Sequence, residues 1–354
     1  MDRILIARLS AMGDIVHSLP AVAALRRAFP QAKIGWIVDE RWVELLAARS
    51  AIAGSERSPE KPLVDVIHPF NVRGWRKNPF SAESRANSRA LLTELRAQKY
   101  EIAIDLQAAI RSALLNWLSQ APERVGFANP RELPAKIFYT RSLETPAVHV
   151  VDQGLQLANA ISGANEIKAE FPLPCDTEGA RWRDELLRDG AAKFAILAPG
   201  AGWGAKCWPA ERYGEVASAL SKERLKVLIN AGPGEERLAQ EVAQTANGAA
   251  QVLSSSLSQL LALIRRASLF IGGDTGPLHL AAACGVPVVA IYGPTNPARN
   301  GPYAPGGEQS RIAVLRSTES ETSHARHSEP EAGLLQISAA EVIAAARTLL
   351  EAQA

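Results

Sequence analysis

Cysteine is scarce in this chain: Cys175, Cys207 and Cys284 are odd in number and widely separated. They form neither a disulfide framework nor a zinc ligand set, and they suit a reducing cytoplasm. Long apolar runs are missing too, since none reaches the roughly 20 residues of a membrane-crossing helix. The opening MDRILIARLSAMGD lacks the small-residue cleavage site of a signal peptide and reads as a buried strand. No basic run is interleaved with aromatics, which argues against a nucleic-acid partner. The full G-x-G-x-x-G fingerprint is absent, so a dinucleotide site is disfavoured and no cofactor is expected. Strong net charge is lacking as well: the formal value is +2. It hides an asymmetry, with 22 basic and 18 acidic residues in 1–175 against 17 and 19 in 176–354. The first half is the better match for an anionic partner, although a solvated surface also accounts for so small a bias.

What remains is an ordinary globular composition, 47% hydrophobic and 21% charged over 354 residues, long enough for two domains with separate cores. Short apolar runs alternate with amphipathic stretches, the pattern of parallel sheets in α/β units. Strands are expected at 3–9, 33–39, 65–70 and 101–107, then at 193–200, 226–232, 267–273 and 286–293. Helices are expected at 14–28, with a local kink at Pro20, at 81–98, from the capping box of Ser256 and Gln259, and at 338–352. FPLPCDTEGA (171–180) interrupts the pattern with two prolines and marks a boundary. The expected architecture is two Rossmann-like domains, 1–175 and 176–354, with a cleft between them and the last helix free to pack back on the first domain. The polar stretch 317–333 is expected to be a mobile loop.

Three loops at strand C-termini in the second half sit where open α/β sheets bind nucleotides. In LFIGGDTGPLHLAAACG, the Asp274-Thr275-Gly276 turn leads into a helix whose free N–H groups and dipole suit a phosphate. An ordinary strand–turn–helix explains the turn equally well, and His279 reads as a packed histidine or a phosphate donor. In APGAGWGAKCWP, small residues including Ala201 and Gly202 leave backbone accessible, and Lys206 offers an ammonium to a diphosphate leaving group. A solvated lysine is the plain alternative. In INAGPGEERLA, Glu235 suits ribose hydroxyls or simply decorates a helix N-terminus. In the first half, Asp14 stands at a strand-to-helix turn. A carboxylate there suits removal of a proton from an attacking hydroxyl, or stabilisation of the helix dipole. Arg73, Arg76 and Lys77 cluster around Trp75, and guanidinium forks pair with carboxylates and phosphates. Arg111 and Arg124 are further candidates on the acceptor side.

Taken together, SAMGDIVHSLP, AIDLQAAIRSALL, KCWP, GPGEE and GDTGPLHLAAACGVPVVAIYGPTNPARNGPY resemble glycosyltransferase family 9, the lipopolysaccharide heptosyltransferases. VRGWRKNPFSAES is similar to the members that add the first heptose to Kdo. The resemblance implies a GT-B fold, two Rossmann-like domains with parallel sheets facing across a cleft, and inverting transfer without a metal. It implies ADP-L-glycero-β-D-manno-heptose as donor and Kdo on lipid A as acceptor, with peripheral contact at the cytoplasmic face of the inner membrane. A monomer is expected. Position by position, it implies Asp14 as general base and Lys206, Asp274, Thr275, Gly276 and His279 as donor-diphosphate contacts. Glu235 would hold the ribose, and Arg73, Arg76 and Lys77 the acceptor. Two departures stand out: Ala201-Gly202 replaces hydroxyl residues common in the family, and 317–333 replaces a cysteine-bearing segment of some relatives. The alternatives are a family 9 transferase with another acceptor or nucleotide, a sugar-nucleotide epimerase of the same fold, and a non-catalytic sugar-nucleotide-binding protein.

Overall fold

A computed structural model describes residues 1–54, 56–188, 193–323, 325 and 327–352. The chain divides into two compact units, Met1–Cys175 and Asp176–Ala354. In the first, strands β1 (Arg3–Ala7), β2 (Lys33–Asp39), β3 (Val66–Phe70), β4 (Ile102–Asp105), β5 (Glu123–Phe127) and β6 (Arg141–Leu143) form one sheet in the order β3-β2-β1-β4-β5-β6. Every pairing is parallel. Its helices are α1 (Met12–Ala28), α2 (Val72–Lys77), α3 (Ala82–Ala97), α4 (Ile110–Leu118) and α5 (Val150–Ser162). The central strand β1 has Ile4, Leu5, Ile6 and Ala7 fully buried, because helices cover both faces and neither side of the pleat meets water. Helix α1 spans Met12–Ala28 with Pro20 inside it, a residue that cannot donate to the helix ladder.

The second unit repeats the plan. Strands β7 (Phe194–Ala198), β8 (Lys226–Ala231), β9 (Ala250–Ser254), β10 (Leu269–Gly273), β11 (Val288–Tyr292) and β12 (Ile312–Arg316) pair in the order β12-β11-β10-β7-β8-β9, again all parallel. Its helices are α6 (Thr177–Leu186), α7 (Ala210–Lys222), α8 (Glu236–Thr245), α9 (Leu257–Ile264), α10 (Gly276–Ala283), α11 (Pro297–Asn300) and α12 (Ala339–Glu351). The capping box at α9 forms in both directions: Gln259 N donates to Ser256 Oγ at 3.2 Å and Ser256 N to Gln259 Oε1 at 2.9 Å. The fold is α/β of the GT-B class, built from two Rossmann-like units.

The last helix, α12, places Val342, Ala346 and Leu349 in the second unit's own core beside Trp208, Tyr213 and Val216 of the α7 region. The chain leading into it is tied to the same place: Trp208 Nε1 donates to Ile337 O at 2.9 Å, and Arg212 donates to the carbonyls of Leu335 and Ile337 at 2.7 Å. An apolar stripe closes over a sheet face, and α12 reaches it after the 317–333 segment and a short turn at Leu334–Gln336. The 317–333 stretch, expected to be mobile, is irregular but anchored. Arg316 Nη2 donates to Ser320 O at 2.9 Å, Ser323 N to Pro294 O at 2.8 Å and Glu331 N to Ala205 O at 3.2 Å. Most of its described side chains are exposed, while these backbone bonds and the Glu331 carboxylate, which accepts from Leu334 N at 2.8 Å, tie it to the unit. Within it, His324 and Arg326 lie outside the described residues.

Candidate active site

The loop after β7 carries Lys206 in a single short turn, Gly204–Lys206. Its ammonium makes an ion pair with Asp274 Oδ2 and lies 4.1 Å from the centre of the Trp203 ring. Asp274 follows β10 directly, and its other oxygen meets His279 Nε2 at 3.1 Å and the Tyr292 hydroxyl at 3.3 Å. Only 10% of either the Lys206 or the Asp274 side chain is exposed. Burial by itself would push the Asp274 carboxyl upward; His279 and Lys206 outweigh it and hold the group well below the ordinary aspartate range. The three residues are 68 and 5 positions apart in sequence, and the β7–β10 pairing is what brings them together.

Around this network are groups that suit an anionic ligand. Thr275 is the residue before α10, Gly276 opens the helix and Pro277 follows, so the first turn has free backbone N–H groups. The hydroxyls of Thr275 and Thr295 are buried and make no hydrogen bond among the described residues. Buried polar groups are nearly always paired, so these two hydroxyls, one after β10 and one after β11, are candidates for contact with a ligand. A Cβ on Gly202 would meet nothing within 4 Å, which leaves the backbone at Ala201-Gly202 open to a ligand. Glu235 precedes α8, and its Oε2 accepts from Gly232 N at 2.9 Å. Its carboxyl lies against Gly200, where any Cβ would collide with it. Burial raises the Glu235 carboxyl, partly offset by the Gly232 hydrogen bond.

The first unit presents a more open group. Asp14 lies in the first turn of α1. One oxygen makes an ion pair with Arg8 Nη2 at 2.7 Å and the other accepts from Ala11 N at 3.0 Å. Arg8 is itself held, through Nη1, by the Leu106 carbonyl at the end of β4. The Asp14 side chain is 32% exposed. Helix α2 carries Arg73, Arg76 and Lys77, all exposed, and its N-terminus is capped by the Asn71 side chain, which accepts from Gly74 N at 2.6 Å. Lys77 lines a cavity of about 370 Å³ with Asn71, Trp75, Asn78 and Asn87.

Arg111, the second residue of α4, lies close enough to Arg76 and Arg131 that their charges act on it. Burial first, then the Arg76 charge, lowers its pKa. Its Nε is buried without a hydrogen bond among the described residues. Arg124 stands apart from this group: Nε and Nη1 are spent on the carbonyls of Phe138 and Ala121, both at 2.8 Å, so it braces β5.

Sequence reasoning passed over Arg8, Asp105 and Tyr292. Asp105, fully buried at the end of β4, accepts from Gln107 N, Ala108 N and the Tyr139 hydroxyl at 2.9, 3.0 and 2.7 Å. The signal for it was a carboxylate inside an apolar strand, which needs partners to be there at all. Tyr292 carried no such signal, since a tyrosine in an apolar strand reads as core.

Comparison with known proteins supplies the family. The family model for glycosyltransferase family 9 (heptosyltransferase) matches residues 88–331. Lipopolysaccharide heptosyltransferase 1 of Pseudomonas aeruginosa is 29% identical over 311 residues, covering 85% of this chain and 81% of that protein. The heptosyltransferase 1 of Escherichia coli K12 is 28% identical, with 85% and 91% covered. Among solved structures, E. coli heptosyltransferase WaaC with ADP superposes with a TM-score of 0.78 at 26% identity, over 99% of this chain and 100% of that one. A family 9 glycosyltransferase from Veillonella parvula gives 0.81 at 25% identity, over 99% and 98%. A parallel-sheet unit with a charged, partly unsatisfied helix N-terminus, matched over more than half its length by one family, settles the assignment: the chain belongs to glycosyltransferase family 9, the heptosyltransferases.

Proposed function

We propose that this heptosyltransferase of the lipopolysaccharide core moves heptose from ADP-L-glycero-β-D-manno-heptose to a Kdo hydroxyl on lipid A, with inversion and without a metal. The observation that carries the donor side is the Lys206–Asp274–His279 network beside the orphan hydroxyls of Thr275 and Thr295. Its ammonium and helix N–H groups meet the charge that builds on a departing diphosphate, in surroundings that screen little. Glu235 binds the ribose hydroxyls. Asp14, aimed by Arg8, takes the proton of the acceptor hydroxyl as its oxygen bonds to the anomeric carbon. The bond from that carbon to the diphosphate breaks in the same displacement, and ADP leaves.

Arg73, Arg76, Lys77 and Arg111 meet the acceptor's carboxylate and phosphates. The basic excess of the first half suits peripheral contact with the cytoplasmic face of the inner membrane, where such an acceptor is anchored. Incubation with ADP-heptose and Kdo-lipid A, read by mass spectrometry with and without EDTA, tests the reading. One added heptose in both samples is expected. No product, or product only when a divalent metal is restored, overturns it.

A further inference from the structure

The 317–333 segment has no part in the reading above, yet it is bonded to the loop that carries Lys206. Ala205 N donates to His327 O at 3.1 Å, and Glu331 N donates to Ala205 O at 3.2 Å. Both sides of the Ala205 residue, immediately before Lys206, are therefore held by one segment. Gly204 allows the close approach, for a Cβ there would collide with the backbone of Ser328. The turn is too short to fix itself: within it, Lys206 N reaches Trp203 O at 3.1 Å and Cys207 N reaches Gly204 O at 2.8 Å. A three-residue turn closed from outside keeps its place only as long as the outer segment of chain keeps its own.

That outer chain is organised by one carboxylate. Glu331 Oε2 accepts from Leu334 N at 2.8 Å and from the Ser320 hydroxyl at 3.1 Å, and Oε1 accepts from Glu321 N at 3.3 Å. Leu334 is fully buried in the unit's core, so the carboxylate ties the segment to a fixed point. At the other end, Arg316 grips Ser320 O and Gly293 O at 2.9 and 3.1 Å.

We infer that the described residues of 317–333, chiefly 317–323 and 327–333, form a strap that positions Lys206 against the donor diphosphate, with Glu331 as its positioning residue. This rests on the donor reading of Lys206. Glu331 touches neither Lys206 nor Asp274 in any bond named above; it acts through Ala205.

Two measurements test the strap, one of them independent of the reaction. In Glu331→Ala, amide hydrogen exchange at Ala205 is expected to accelerate at least tenfold, while amides of the core strand β10 keep their protection. ADP affinity by calorimetry is expected to fall about tenfold, the worth of one charge-assisted hydrogen bond. Glu331→Gln keeps the length and one acceptor and should recover part of both. Because the effect passes through Lys206, the ADP losses in Glu331→Ala and Lys206→Ala should not add in the double variant. Unchanged exchange at Ala205 overturns the strap, and fully additive losses overturn its action on Lys206. If the wild type failed to bind ADP, the donor reading would fall, and the inference with it as far as Lys206 is concerned; the Ala205 exchange would still decide whether the strap exists.

Discussion

Asp14 and Asp274 are both aspartates at the C-terminal side of a central strand, both paired with a cation, and they are built in opposite ways. Asp14 is about a third exposed, with one arginine and one backbone N–H as partners. Asp274 is 10% exposed and holds Lys206, His279 and Tyr292. A group that must exchange a proton with substrate and solvent needs access, whereas a group that fixes an ammonium gains from a dry setting where charges are screened little. The contrast teaches that one residue type can be set up for access in one unit, as the proposed base requires, and for holding a buried cation in the other.

The sharpest way to break the contrast is to make one substitution in both places. Asp14→Asn keeps the shape and removes the basic lone pair. Turnover should fall about 10²–10⁴-fold, the usual contribution of a positioned base. Thermal stability should move little, because a partly exposed ion pair contributes only about 0–1 kcal/mol. Steady-state kinetics alongside a melting curve checks both halves, and near-normal turnover removes Asp14 from the chemistry.

Asp274→Asn should do the reverse in kind. It leaves Lys206 buried without its counter-charge, a loss of about 3–5 kcal/mol for a buried pair, read as a lowered denaturation midpoint. Acid gives the same information without mutation. The folded-state pKa of Asp274 is depressed, so its contribution is fully present above the unfolded aspartate value of about 4. It is lost as pH falls below that toward the folded value. A wild-type midpoint that declines below about pH 4 more steeply than that of Asp274→Asn is expected; parallel curves would show that the network does not hold the unit.

The smallest effect belongs to the acceptor side. Arg76→Ala removes one exposed guanidinium from the group that includes Arg111. The acceptor KM should rise by roughly one to two decades, with ADP binding within about twofold of wild type. Loss of ADP binding instead would show that Arg76 serves the donor.

The strands legible in the sequence were the interior ones. β1, β2, β4, β7, β8, β10 and β11 are buried on both faces and stand out as apolar runs, and β3 was the one edge strand found. The strands passed over are β5, β6, β9 and β12. Three of these are sheet edges, and β5 is next to one. Their sequences, ERVGF, RSL, AQVLS and IAVLR, are short or mixed, since an edge strand packs less apolar surface and needs less of it.

The site divides in a similar way. Asp14, Lys206, Asp274 and His279 were picked out from their places in loops and first helical turns, but the pairing of Lys206 with Asp274 was not, nor were Arg8 and Tyr292. Lys206 and Asp274 stand in loops after β7 and β10, strands adjacent only through crossover, and nothing in either loop specifies the other. Ala205's bonds to 317–333 were equally invisible, because they use backbone atoms that every residue has.

The tie between Trp208 and Ile337 also sets an order on biosynthesis. All the strands of the first unit precede residue 176, so its sheet can assemble while the rest is being translated. The second unit has to wait: the lysine-bearing loop ends in an indole whose N–H donates to the carbonyl of Ile337, 129 residues later, and the core over it is closed by α12. A ribosome stalled before Ser338 would thus hold a chain with a finished first unit and a second unit whose sheet still lacks one cover. Such a product would be a client for chaperones and proteases, not a smaller enzyme.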